Sequence, residues 1–461
     1  MIRGQPRGTA LSSCKLFCGT TVFFLLAGLP AWSAPLTAEQ WREDLAFLSE
    51  RLQKLHPNVY HAVTPDEFRQ IVDGISAEIP HLRPHEVIVE FIRLVAAVGD
   101  GHSRFAVPLA RPGFTPADPA LLFHQLPIQL EFFSDGLFIV AADEAWAAAA
   151  GAKVLKIGEV DLEEALKRAA TLASRDRVIQ RGLVGPELVG ERVKPGQPLE
   201  NTEWIKFYMT FHLTIPEILR ALRITNDLGR VPIQIQKRDG TLETIGFAPL
   251  EQGRQPKWIN PREQSASPPP LWRRNNDKNY WFEFLPEKKT LYLQYNAVQN
   301  MKGETIHQFC SKLFRFIDEN PVERVILDMR HNGGGDNTLN RPLVNGLHIR
   351  QTINKPGRLF VITSRRTFSA AMNCVNDLDQ RTNALFVGEP TGAAPNSFGD
   401  ARSFTLPNSR LEARVSTLLW ADSDPRDKRP WVAPEIPAPL SSDDYFANRD
   451  PALEAIFSYE P

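Results

Sequence analysis

Ser369 lies in Thr367-Phe368-Ser369-Ala370-Ala371, just beyond the apolar run Leu359-Phe360-Val361-Ile362-Thr363. A strand giving way to small residues places this serine at a helix N-terminus, where free N–H groups and the positive dipole end favour an oxyanion. Upstream, Val325-Ile326-Leu327 runs through Asp328-Met329-Arg330 into His331-Asn332-Gly333-Gly334-Gly335-Asp336, whose glycines leave backbone amides bare. A serine facing bare amides is what acyl transfer requires. Taken singly, each half is ordinary: serines at helix starts are mostly caps, and glycine turns abound in α/β proteins. The pair acquires meaning from a base. Asp100-Gly101-His102-Ser103-Arg104-Phe105 follows the stop signal Gly99, and this tight turn makes His102 the best general-base candidate among the ten histidines.

Three helices precede that turn. Thr37 with Gln40 forms a capping box ahead of the stripe Trp41, Leu45, Leu48, Leu52 and Leu55. Thr64-Pro65 with Glu67 opens the second, and the third runs from Pro84 to Val98. Residues 120–250 change character. Strands are expected at 137–140 and 154–157, a helix at 162–173, a hairpin over 232–247 with its turn at Asp239-Gly240, and a helical insertion at about 204–222. Pro-, Arg- and Ser-rich residues 251–279 read as a linker. From Tyr280 strands and helices alternate, the pattern of an α/β domain.

A length of 461 residues predicts two or three domains. With a net charge of −1 and no basic block, nothing points to nucleic acid. Arg3, Arg7 and Lys15 precede an apolar run over 16–29 and then Pro30-Ala31-Trp32-Ser33-Ala34. This reads as a cleavable signal peptide over 1–33, predicting export to a periplasmic compartment and no stable membrane span in the mature chain. Cys14 and Cys18 leave with it, so the mature chain keeps Cys310 and Cys374, which an exported protein is able to pair. No cofactor or metal is called for. His-Glu-x-x-His is missing, and His81 and His85 flank Pro84 at a helix start, a poor place for paired ligands.

These pieces together resemble the tail-specific (C-terminal-processing) serine peptidases, closer to the tricorn core branch than to the Ser–Lys branch. The matching elements are Asp100-Gly101-His102, the β-rich stretch, Leu327-Asp328-Met329-Arg330 with Asn332-Gly333-Gly334-Gly335, and Thr367-Phe368-Ser369-Ala370-Ala371. Gly388-Glu389-Pro390-Thr391-Gly392 and Pro434-Glu435-Ile436 complete the family's order. The resemblance implies an α/β protein with a Clp-protease/crotonase-like ββα core over 280–461. An N-terminal helical region over 34–115 would carry His102, with a PDZ-like domain over 120–250. It implies Ser369 as nucleophile and an oxyanion hole from Ala370 with Gly333 or Gly334. The region Gly392-Ala393-Ala394-Pro395-Asn396 lacks the lysine of the Ser–Lys branch, so His102 takes the base role. Gly101 stands where the tricorn branch has a hydroxyl residue. For the acid, Asp427 is the first choice, with Asp424, Glu389 and Glu435 as alternatives. The implied partner is a flexible or unfolded polypeptide substrate.

Two other readings compete. An α/β-hydrolase is disfavoured because Ser369 lacks the flanking glycines of the nucleophile elbow. A catalytically degenerate relative acting as a peptide- or ligand-binding module is the serious alternative.

Overall fold

Strands that alternate apolar side chains to both faces need cover on both, and residues 280–460 supply it. In the computed structural model, which describes residues 35–178 and 198–460, this region forms a six-stranded sheet. Its order is Ile436–Pro437, Leu385–Gly388, Leu359–Thr363, Arg324–Asp328, Thr290–Tyr295, Tyr280–Leu285. Neighbours run parallel except the final, antiparallel pair. One face presents Leu293, Leu327, Val361 and Phe386 to the helices Ile306–Glu319, Arg341–Ile349 and Ala370–Arg381. The intervening Tyr292, Ile326, Phe360 and Val387 pack against Leu453 and Ile456 of the helix Pro451–Ser458. This two-residue period explains why all of Leu359–Thr363 is buried. The chain is a mixed α/β protein, as expected.

The N-terminal helices Ala38–Leu55, Pro65–Glu78 and Pro84–Ala97 begin where the capping signals place them, with both Thr37/Gln40 and Thr64/Glu67 boxes formed. Their apolar stripes share one core with a second, seven-stranded sheet built from 128–259. Two helices, Thr202–His212 and Pro216–Ala221, lie between strands Lys153–Ile157 and Val231–Gln236, which pair with each other in this sheet.

A third, small sheet positions the histidine turn. Arg104–Phe105, directly after His102 and Ser103, pairs antiparallel with Glu412–Val415, matching Arg104 to Arg414 and Phe105 to Ala413. Glu412–Val415 in turn pairs antiparallel with Arg402–Thr405, forming a hairpin.

Residues 251–279 differ from the linker reading. Trp258–Ile259 joins the seven-stranded sheet, while Arg262, Leu271 and Trp272 are buried. A few large side chains anchor a stretch whose proline and polar content suggested an open connection. The described residues between 35 and 460 pack as one unit, without a division there. Cys310 and Cys374 are buried, unpaired thiols rather than a disulfide. The signal-peptide segment lies outside the described residues. Among the described residues no helix is long and apolar enough to cross a membrane.

Candidate active site

Ser369 is the N-cap of the helix Ala370–Arg381 and adopts φ +58°, ψ −130°. A non-glycine residue in that region carries roughly 1–3 kcal/mol of backbone strain and persists only where its surroundings enforce it. They do so here. Phe368 N–H donates to the Asn332 carbonyl at 3.0 Å. Thr367 Oγ1 donates to the Met329 carbonyl at 3.0 Å, and Ser364 Oγ to that of Arg330 at 2.6 Å. The serine turn is thus fastened to the turn after the neighbouring strand. Ser369 is half-buried and its hydroxyl makes no capping bond, so the oxygen is left for other chemistry.

The glycine turn lies directly against it. A Cβ on Gly334, at φ +102°, would stand 2.6 Å from Ser369 Cβ and 2.8 Å from the Ala370 nitrogen. Only glycine permits that approach. The Gly334 amide, however, already donates to Asn332 Oδ1 at 3.0 Å. Among the described residues, the amides of Gly333 and Ala370 have no acceptor. Of the three expected oxyanion donors, Gly333 and Ala370 are free, whereas Gly334 contributes close packing.

His102 is brought beside this turn. Its ring stacks on Phe368, the residue before Ser369, with centroids 4.4 Å apart, and Phe368 stacks in turn on Trp204 at 4.0 Å. Asp100 shapes the loop by accepting the amides of His102 and Ser103, both at 2.7 Å, and the Ser416 hydroxyl at 2.8 Å. Its other oxygen meets His56 Nε2 at 3.1 Å. Burial acts to raise the Asp100 carboxyl, but His56 and the Ser103 donors outweigh it and hold the group well below the ordinary range. Asp176 ties the same loop to residue 394, accepting Gly101 N–H at 2.7 Å and Ala394 N–H at 3.1 Å.

The departure at Gly101 has a steric reason. A Cβ there would lie 3.0 Å from the Phe368 ring and 3.2 Å from Asp176 Oδ1, so the stack leaves little space for a side chain.

Burial pushes the His102 imidazole down to about 4, with Asp100 opposing and Arg104 and Arg414 adding to the fall. The ring is therefore neutral at pH 7. The neutral form is the one that accepts a proton, so a rate that uses His102 as base should persist as pH falls and be lost through about 4. A pH profile of kcat/KM checks this, and an acid limb near 6.5, the ordinary histidine value, would contradict it. Stability should follow the same sign. Between the unfolded and folded values the unfolded chain binds the extra proton, so acid weakens the fold.

The acidic candidates are engaged with other partners. Asp427 accepts from Ser423 Oγ at 2.7 Å and pairs with Arg429 at 2.8 Å. Asp424 pairs with Arg426 at 2.7 Å and Glu389 with Arg365 at 3.4 Å, while Glu435 accepts the Phe386 amide at 2.8 Å. None of the four hydrogen-bonds the His102 ring, whose buried Nδ1 has no partner. No hydrogen bond joins that ring to Ser369 among the described residues. Catalytic hydrogen bonds in substrate-free sites are often open and close around substrate.

No protein-family model and no curated protein sequence matches this chain. Solved structures do. Mature CPAF superposes with a TM-score of 0.58 at 13% identity, covering 91% of this chain and 96% of that one. This chain has the fold of CPAF. A CPAF serine-to-alanine mutant gives 0.55 at 12% identity, covering 92% of this chain and 99% of that one. The photosystem II D1 C-terminal processing protease is also matched, at 0.40 and 12% identity over 92% of this chain and 97% of that one. At such identities the likeness to CPAF is one of fold, and it extends over nearly the whole length of CPAF.

Several site residues went unread in the sequence. Trp204 comes from the helical insertion, where the sequence reading assigned it no role. Asp176 and Phe398 carried no local motif; the Phe398 ring packs on His56 at 4.5 Å. The short strand pair Asn396–Gly399 and Leu418–Ala421 that presents Phe398 was also unmarked.

Proposed function

We propose that this chain is an exported serine endopeptidase that hydrolyses peptide bonds of flexible or unfolded polypeptides through an acyl-enzyme on Ser369. The observation that carries the reading is the strained Ser369 turn, with the free amides of Gly333 and Ala370 and with the His102 ring stacked on Phe368, the residue before the serine. His102, neutral at pH 7, takes the Ser369 proton as Oγ adds to the scissile carbonyl carbon. The resulting oxyanion is held by the Gly333 and Ala370 N–H groups, a contribution worth on the order of 3 kcal/mol per donor. The tetrahedral intermediate collapses, the C–N bond breaks, and the imidazolium returns its proton to the leaving amine. Water, deprotonated by the same ring, then releases the acyl group. An extended chain end is received by strand addition at the β-rich region.

Incubation with denatured casein and a fluorophosphonate probe tests this reading. Cleavage and labelling that both depend on Ser369 support it, and absence of both defeats it. Lactacystin, with which mature CPAF has been solved in complex, serves as a second probe. One observation favours the binding-module alternative: no carboxylate supports His102 Nδ1. A peptide that binds without being cleaved or blocking any label would decide for it.

Export is tested separately. Mass spectrometry of protein from its native host should find a mature chain beginning near Ala34, whereas retention of residues 1–33 would mean an anchored protein.

A further inference from the structure

A second site lies at the C-terminal edge of the parallel sheet, where ligands of open α/β sheets collect. There a cavity of about 570 Å³ is walled by residues 362–366, Gly388 and Glu389, together with Arg262, Trp272 and Arg273. Neither Ser369 nor His102 lines it.

Its lining holds six cationic side chains against two carboxylates, Glu131 and Glu389. Both carboxylates are taken, Glu131 by Arg366 at 2.6 Å and Glu389 by Arg365 at 3.4 Å. Arg330 is likewise matched by Asp328 and Asp450. Arg262, Arg273 and Lys278 are left with no carboxylate among the described residues. Arg262 decides the matter. It is only 5% exposed, and its Nε and Nη1 have no acceptor. Its guanidinium is held 3.8 Å from the Tyr445 ring centre, and the buried Trp272 Nε1 also lacks an acceptor. Rings offer a cation a face but give its N–H groups no lone pair. His331 adds neither charge nor relief, because burial and the surrounding arginines push it down to about 3.

Arg262, Trp272 and Arg273 thus line one roomy cavity, and Arg262 and Trp272 carry buried N–H groups without acceptors. An unpaired buried cation is costly, and a bound anion removes the cost. We propose that this cavity binds a small, multiply charged oxyanion of the polyphosphate or polycarboxylate class, held by Arg262 and Arg273 with the Trp272 N–H as a further donor. Guanidinium groups grip such oxygens in pairs, and the volume admits more than a single inorganic ion.

Isothermal titration of the full chain with pyrophosphate and with citrate, at constant ionic strength, tests the site. At least one should bind at a single saturable site with a Kd below roughly 1 mM. Binding by pyrophosphate alone assigns the phosphate class, and by citrate alone the polycarboxylate class. Arg262→Gln and Arg273→Gln should each weaken binding about tenfold or more. If Arg262→Gln does not fold, Arg273→Gln, at a half-buried position, decides by itself. Absence of saturable binding by either anion in the unaltered protein would overturn the proposal, as would unchanged affinity in Arg273→Gln. Equal affinity for acetate would overturn it too, since a lone carboxylate such as a chain terminus would then suffice.

Discussion

Ser369→Ala should abolish turnover and fluorophosphonate labelling while leaving the fold intact. The alanine loses one oxygen that makes no capping bond, so stability should barely move. His102→Ala should be nearly as damaging to the rate, because a serine hydroxyl is a weak nucleophile until a base takes its proton. Removing either member of such a unit costs on the order of 10⁶ in kcat where it has been measured. The two losses should not add: the double variant should be about as slow as either single one. Single-turnover kinetics on an activated ester, with melting temperatures for all three proteins, read both quantities. Full labelling of the His102→Ala protein would remove His102 from the mechanism.

Gly334→Ala should be the most damaging change that touches no reactive atom. Its new methyl would lie 2.6 Å from Ser369 Cβ, 2.8 Å from the Ala370 nitrogen and 2.9 Å from the Phe368 carbonyl. Two of those three neighbours are backbone atoms, so no side chain can swing aside. Relief requires the serine turn itself to shift, taking both Oγ and the Ala370 donor with it. A misplaced donor alone costs about 10²–10³ in rate, and forcing alanine to positive φ adds roughly 1–3 kcal/mol of instability. Gly333→Ala supplies the control on the same turn. Gly333 is exposed, a Cβ there meets nothing within 4 Å, and the substitution keeps the N–H. Labelling rates and thermal melts should separate the two neighbours sharply. Equal behaviour would mean that the glycine turn does not shape the serine site.

Much of this chain is legible locally, because caps, strand periods and glycine stops act within a few residues. Thr37, Thr64 and Thr305 each open a helix with its capping box formed, so those starts need no tertiary help. The runs 325–327 and 359–363 could be placed as buried strands because their apolar residues are continuous, as parallel strands covered on both faces demand. Ser369 opening a helix beyond a strand belongs to the same class of signal.

Contacts across hundreds of residues belong to another class, with no local signature. Pairing of Arg104–Phe105 with Ala413 and Arg414 decides where the His102 turn sits, and neither segment announces the other. Likewise, Asp427 was a sound acidic candidate by position, but Arg429, two residues on, offers a nearer charge and Ser423 a donor. Gly334 looked like a free amide donor until the side chain of Asn332 folded back onto it. Burial of Arg262 and Trp272 within a proline-rich stretch depended on which surfaces came to face it. Sequence alone therefore determined the elements and the kinds of reactive group. Only the tertiary structure decided which groups meet, because charge pairing and burial depend on distances that the chain acquires on folding.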